Sequence, residues 1–319
     1  IRDRIMPAFS THYIFSDEMM DTIRQRAKGV KVDERAVIYG TQGPDFLFFH
    51  RLLPNMPGKS LMGTGSAIHR SDPAKLFAAM AEYLINGKNY DRDCVISYFC
   101  GFICHYALDR SVHPFVYWAM EDIKKREHIT YHPFVLHNRI EFNIDMLLLK
   151  EKKNIENTLK FSTKALLSDD PELIENMARA ASFAFSVTLK RPCDEKKFEQ
   201  AFRDFRYMQG IINSGNKKRN DFLRAVQMPL YPVIGPGVSS MMLQEKADDK
   251  YDYMNRAKNE WYYPADKSVK LNKSVYELFD EAKADAAQMI TGFMNILEGK
   301  ADSSEVFGHR SFLTGTDVC

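Results

Sequence analysis

The sequence predicts an all-α, multi-helix fold. Three observations carry this expectation: apolar residues recur at helical spacing along nearly the whole chain, several segments open with helix-start signatures, and strand-like alternation is scarce. A chain of 319 residues that is 45% hydrophobic can bury a sizeable core. No Pro/Gly/Ser-rich or highly charged linker, internal repeat or low-complexity tract divides it, so it reads as one domain over residues 1–319.

The helices can be justified in order. FSTHY places His12 just before a first helix, and TQGPDFLFFH puts Asp45 after the turn-forming Gly43-Pro44 pair. IHRSDP places His69 ahead of Asp72, the expected cap of a helix that starts at Pro73 and runs Leu76, Phe77, Met80 and Leu84 along one face. Asp170-Pro171 repeats that start. Near the far end, Ser274 and Glu277 make a capping box, Phe279, Ala282, Ala286, Met289 and Phe293 an apolar face, and Gly299 the stop.

The chemistry concentrates in FICHYALDRSVHPF. His105, Asp109 and His113 fall four residues apart, so on a helix two imidazoles and a carboxylate project from one stripe. His137 and Glu141 repeat the spacing in HPFVLHNRIEFNIDM, with Asp145 extending the row. Ionisable groups are rarely buried without partners, and a divalent metal cluster supplies partners for both rows. His12, Asp45 and His69 enlarge the set enough for more than one metal.

The formal charge of +2 gives no electrostatic reason to expect long nucleic acid or tight membrane binding, and the run Lys217, Lys218, Arg219 reads as solvated surface. Five cysteines cannot all pair within one chain; Cys94, Cys100 and Cys104 sit in the apolar helix ahead of the His row as small buried hydrophobes, which favours a reducing compartment. The longest apolar run, about Val95 to Leu108, is too short and too polar to span a bilayer, and no secretory signal is visible, so a cytoplasmic protein is expected.

With THY, GPDFLFF, the isolated His69, CHYALDRSVHP and HNRIE, then NEWYYP, SVYELFDEA and RSFLTGTD, the chain resembles the zinc-dependent phospholipase C and single-strand nuclease superfamily. The resemblance implies an all-α domain with its metal cluster in a cleft between helices. It further implies that Asp45, His69, His105 and Asp109 hold one zinc, that Asp109 bridges to a second zinc that also takes His12, and that His113, His137 and Glu141 hold a third. Asp45 would orient the attacking water as general base, and two to three zinc ions would be bound. The implied activity is hydrolysis of a phospholipid or small phosphodiester by a metal-activated hydroxide, with at most transient membrane-surface contact. Two alternatives stand beside it: a single-strand nuclease or 3'-nucleotidase, and a metal-stabilised binding protein without turnover. Phe46, Phe48, Phe49 and Trp118, the last placed after a His113-Pro114 bend, read either as substrate contacts or as core.

The chain departs from the secreted members in three ways. Only three residues separate Asp109 from His113, and 23 separate Asp45 from His69, where the insert RLLPNMPGKSLMGTGSA is read as substrate rim. No Trp lies near the start. In the nuclease branch the zinc-binding N-terminal residue lies five positions before the first His ligand, which here is Pro7; one expectation is a start at Met6, with Ile1 to Ile5 upstream and Pro7 completing the second zinc site, and the other is that residues 1–6 belong to the working protein and water fills that position.

Overall fold

The computed structural model describes residues 9–53, 56–128, 133–213, 215–230 and 242–317. It is all-α. Among the described residues the α-helices are α1 (Phe9–Arg26), α2 (Glu34–Gly40), α3 (Met62–His69), α4 (Pro73–Asn86), α5 (Arg92–Arg126), α6 (Pro133–Lys153), α7 (Thr163–Leu166), α8 (Pro171–Leu189), α9 (Glu195–Ile212), α10 (Lys217–Gln227), α11 (Val275–Leu297) and α12 (Ser303–Phe307). An antiparallel hairpin, β1 (Trp261–Tyr263) with β2 (Asp266–Leu271), pairs Trp261 with Leu271. Sequence periodicity missed it, because β1 is only three residues long and β2 is exposed along nearly its whole length, so neither alternates between a buried and an open face.

The helix starts are where the capping residues put them. Asp72 accepts from the Ala74 amide and Asp170 from the Glu172 amide, each with Pro in the first turn, and Ser274 and Glu277 form the reciprocal box that opens α11. The inward rows of α4 and α11 are buried as their spacing requires.

Helix α5 is the axis of the molecule, flanked by α1, α2, α6, α8 and α11. From Cys94 to Asp109 every residue of it is buried, the expected state of a helix that is apolar all round. Its closest neighbour is α2. A Cβ on Gly101 would stand 2.3 Å from the Val37 carbonyl oxygen, and one on Gly40 would stand 2.0 Å from that of Tyr98. The two backbones therefore touch at this crossing, which sets Thr41 over His105, one turn further along α5.

Three local expectations need correction, and one open choice is decided. His12 lies in the first turn of α1, which begins at Phe9. His69 is the last residue of α3, so the insert before it ends as a helix rather than as open loop. No bend at Pro114 ends α5: tertiary packing on all sides holds the helix through the proline, and Trp118 stacks on Phe115 at 5.8 Å within it. Phe46, Phe48 and Phe49 are at most 2% exposed and belong to the core, Phe46 stacking on Phe202 of α9 at 4.0 Å. No helix among the described residues is long and apolar enough to cross a membrane.

Candidate metal centre

Eight of the sequence-predicted residues converge in the interior, all below 9% exposure. Three elements supply the first group: Asp45 from the short 3-10 turn Asp45–Phe49, His69 from the end of α3, and His105 from α5. His12 of α1 joins His105 and Asp109 in a second group, and His113 of α5 meets His137 and Glu141 of α6 in a third. Pro7 and Ile1 to Met6 lie outside the described residues.

The spacing within these groups has a specific meaning. Donor atoms bound to one zinc at 2.0–2.2 Å in a tetrahedral shell stand roughly 3.3 Å apart. Nε2 of His69 lies 3.0 Å from Oδ1 of Asp45, Nε2 of His105 3.2 Å from Oδ2 of Asp109, and Nε2 of His12 3.4 Å from Oδ1 of Asp109. In the third group Nε2 of His137 and of His113 lie 3.0 and 3.3 Å from Oε1 of Glu141. Asp109 also comes within 3.6 Å of His113, so its carboxylate stands between all three groups.

Both oxygens of Asp45, Oδ2 of Asp109, Oε2 of Glu141, Nε2 of His69 and His105, and both ring nitrogens of His137 are buried without an aligned hydrogen bond. So many orphaned acceptors at coordination spacing fit a cation and fit little else.

The far sides of three of the five rings are fixed by backbone. Nδ1–H of His69 donates to the Gly65 carbonyl at 2.9 Å, that of His105 to Thr41 at 3.2 Å, and that of His113 to Phe312 at 3.0 Å. A carbonyl can only accept, so Nδ1 carries the proton and Nε2 turns its lone pair toward the carboxylates. Metal-binding histidines are held this way. Sequence reasoning missed these supports, since a backbone carbonyl has no residue signature. Gly43 shows why a glycine stands beside His105: its φ is +52°, and a Cβ there would sit 2.1 Å from Cδ2 of the ring.

Asp145, expected to extend the α6 row toward the metal, does something else. Its carboxylate accepts from the backbone amides of Ser10 and Thr11 at 2.9 and 2.6 Å and so caps α1 from another helix. The sequence PAF at the helix start offers no local capping side chain, and that was the available signal. Burial pushes the Asp145 carboxyl up to about 7 despite these hydrogen bonds.

Charge balance in the centre follows from proximity. Burial alone would raise Asp109, but the His105 and His113 imidazoles beside it hold it far below the usual carboxylate range. Burial would lower His113, yet Asp109 and Glu141 drive it up to about 10, and Glu141 is in turn held down to about 2 by His137 and His113. His105 is raised by Asp109 and Asp45 against its own desolvation, while burial and the neighbouring His105 bring His12 down to about 4.

A cavity of about 30 Å3, space for roughly one water, opens among His12, Asp109, His113 and Glu141, walled by Thr11, Val112, Val116 and Ile144. Neither Asp45 nor any residue of the insert Arg51–Ala67 lines it. Two larger surface clefts of about 420 Å3 contain none of the converging residues, so size does not mark the site here.

The model of the zinc dependent phospholipase C family matches residues 11–184, more than half of the chain. The matched stretch contains all eight converging residues and stops short of NEWYYP, SVYELFDEA and RSFLTGTD, where the resemblance had also been read. Comparison with curated proteins and with solved structures gave no match.

Proposed function

This chain belongs to the zinc-dependent phospholipase C family, and we propose that it is a zinc-dependent phosphodiesterase that cleaves a phospholipid or a small phosphodiester. The observation that carries the proposal is the placing of Asp109 among His12, His105 and His113, with unaligned donor atoms at the spacing of a coordination shell. We assign Asp45, His69, His105 and Asp109 to one metal, Asp109 and His12 to a second, and His113, His137 and Glu141 to a third, within a single domain.

Zinc bound there would activate a water toward phosphorus and take up charge on the leaving oxygen. The protein's own groups do the rest. The backbone carbonyls of Gly65, Thr41 and Phe312 hold three imidazoles in one tautomer, so no ring has to reorient during turnover. Asp45 is assigned to orient the attacking water and accept its proton, as well as to hold metal. Its neighbours His69 and His105 keep it fixed.

The phospholipid reading is supported by the wall of the small cavity, which beside Asp109 and Glu141 offers the aliphatic side chains of Val112, Val116 and Ile144. The phenylalanines that might have stacked on a base, Phe46, Phe48 and Phe49, are buried in the core. This supports the phospholipase C reading. The free thiols Cys94, Cys100, Cys104 and Cys193 support a reducing, cytoplasmic setting.

The test combines metal analysis with a substrate panel. Purified protein should bind two to three zinc ions and hydrolyse a chromogenic phosphodiester, lose that activity to a chelator, and prefer phospholipid to single-stranded oligonucleotide. Well-folded protein that takes up no zinc, and whose melting temperature zinc leaves unchanged, would sink the proposal; zinc uptake without hydrolysis of any diester would leave a metal-stabilised binding protein instead.

A further inference from the structure

Three of the seven strongly exposed large apolar side chains among the described residues fall in one short stretch: Phe222 at 66%, Val226 at 53% and Met228 at 63%. The other four, Ile85, Val187, Tyr207 and Val269, lie on four separate elements. Scattered apolar residues need no explanation, whereas a concentrated set usually marks a contact surface.

The stretch is α10 and the turn that follows it. Its inner face is settled: Asn220 is buried and Leu223 packs against the core. The opposite face carries Lys218, Phe222 and Val226 at i, i+4 and i+8, one outward row headed by a cation. Along its length α10 bears Lys217, Lys218, Arg219 and Arg224 against one carboxylate, Asp221. That carboxylate is taken by Lys217 at 2.7 Å and Arg224 at 3.8 Å. Lys218 and Arg219 have no carboxylate partner among the described residues, and the Arg219 guanidinium bonds the Ile211 carbonyl. Beside the helix runs one of the surface clefts of about 420 Å3, whose wall holds Lys217, Arg224 and Lys246 against Asp221 and Glu245.

We propose that α10 is a docking element for an anionic lipid surface, with Phe222, Val226 and Met228 entering the interface and Lys218 and Arg219 meeting the headgroups. Amphipathic helices with aromatic and aliphatic residues on one face and unpaired cations beside them bind in this manner, lying in the plane of the interface. A protein partner could cover the apolar row equally well; the surplus of unpaired positive charge around it selects a surface of distributed negative charge. The inference does not need turnover, and it explains how an enzyme of small net charge could still work at a membrane.

The experiment is co-sedimentation of the zinc-loaded full chain with vesicles of equal parts phosphatidylcholine and phosphatidylserine, against pure phosphatidylcholine, alongside hydrolysis of a water-soluble chromogenic phosphodiester. Binding to the anionic vesicles should exceed binding to the neutral ones and weaken with salt. The double change Phe222→Ser and Val226→Ser should lower vesicle affinity by about tenfold or more. Lys218→Glu should lower it by about fivefold or more. All three substituted sites are exposed, so melting temperature and soluble-diester rate should stay unchanged. Equal binding by the double variant, or no preference for anionic vesicles, overturns the proposal. A dimer that the double variant converts to monomer without loss of vesicle binding also overturns it, making the face a self-contact. Failure to hydrolyse the soluble diester counts against the proposed activity and leaves the docking result intact.

Discussion

Thr11 and Asp145 meet twice: the backbone amide and the hydroxyl of Thr11 both donate to Oδ1 of Asp145, each at 2.6 Å. The next residue is His12, so this junction between α1 and α6 decides where the α1 imidazole points. One helix face thus serves two groups of the centre, directly through His137 and Glu141 and indirectly through Asp145.

Replacing Asp145 with Ala should cost about 2–4 kcal/mol in denaturant unfolding, since it strands buried amides of Ser10 and Thr11. It should also reduce bound zinc, with His12 the ligand lost, while His113, His137 and Glu141 keep theirs. Full zinc content together with unaltered stability would show that α1 is held some other way.

Asp109→Asn should be the most damaging single change. Its carboxylate faces His12, His105 and His113 within 3.6 Å, and losing its charge should lower diesterase rate by about a hundredfold or more, with loss of more than one zinc. Glu141→Gln touches only the third group, so it should remove about one zinc and leave the fold intact. Full metal content and rate in Asp109→Asn would refute the bridging role.

Metal-free protein should lose stability as pH rises, and the gain that zinc gives should grow. His113 has a folded value raised to about 10, so its contribution is complete below its ordinary value of about 6.5 and is lost as pH rises toward 10. Glu141, held down to about 2, contributes above its ordinary value and loses that only in strong acid. The metal-free chain should therefore melt at lower temperature at about pH 9 than at about pH 6. Zinc must displace the protons on these imidazoles, so the melting gain that zinc produces should grow over the same range. Thermal melts with zinc and with chelator at both pH values check this; a zinc gain independent of pH would contradict it.

Gly43→Ala should destabilise the protein by about 1–3 kcal/mol, from the positive φ together with the clash on His105. The signature that separates it from a simple loop defect is weaker zinc binding, because the displaced ring belongs to two of the groups. Calorimetric unfolding and zinc titration measure the two effects separately.

Much of this was legible in the residues alone. Helix starts could be read because Asp72, Asp170, Ser274 and Glu277 act within their own turns, and the ligand rows because α5 and α6 impose a four-residue repeat. What escaped acts across the chain. Asp145 shares the spacing of His137 and Glu141 yet turns to α1, a choice made by which helix packs where. The helical setting of His69 was hidden because no side chain caps the start of α3, and the carbonyls behind the imidazoles are invisible to any residue pattern.

Phe312 has a consequence in time. Its carbonyl holds Nδ1–H of His113 across 199 positions, and its ring lies 5.8 Å from that of His69 and 6.1 Å from that of His105. All eight converging side chains lie at or before Glu141, so they leave the ribosome long before the group that steadies His113 does. Until Phe312 has been made, His113 lacks the carbonyl that sets its tautomer and ring orientation. The order of the chain therefore separates the supply of the donor side chains from the supply of the group that aims one of them.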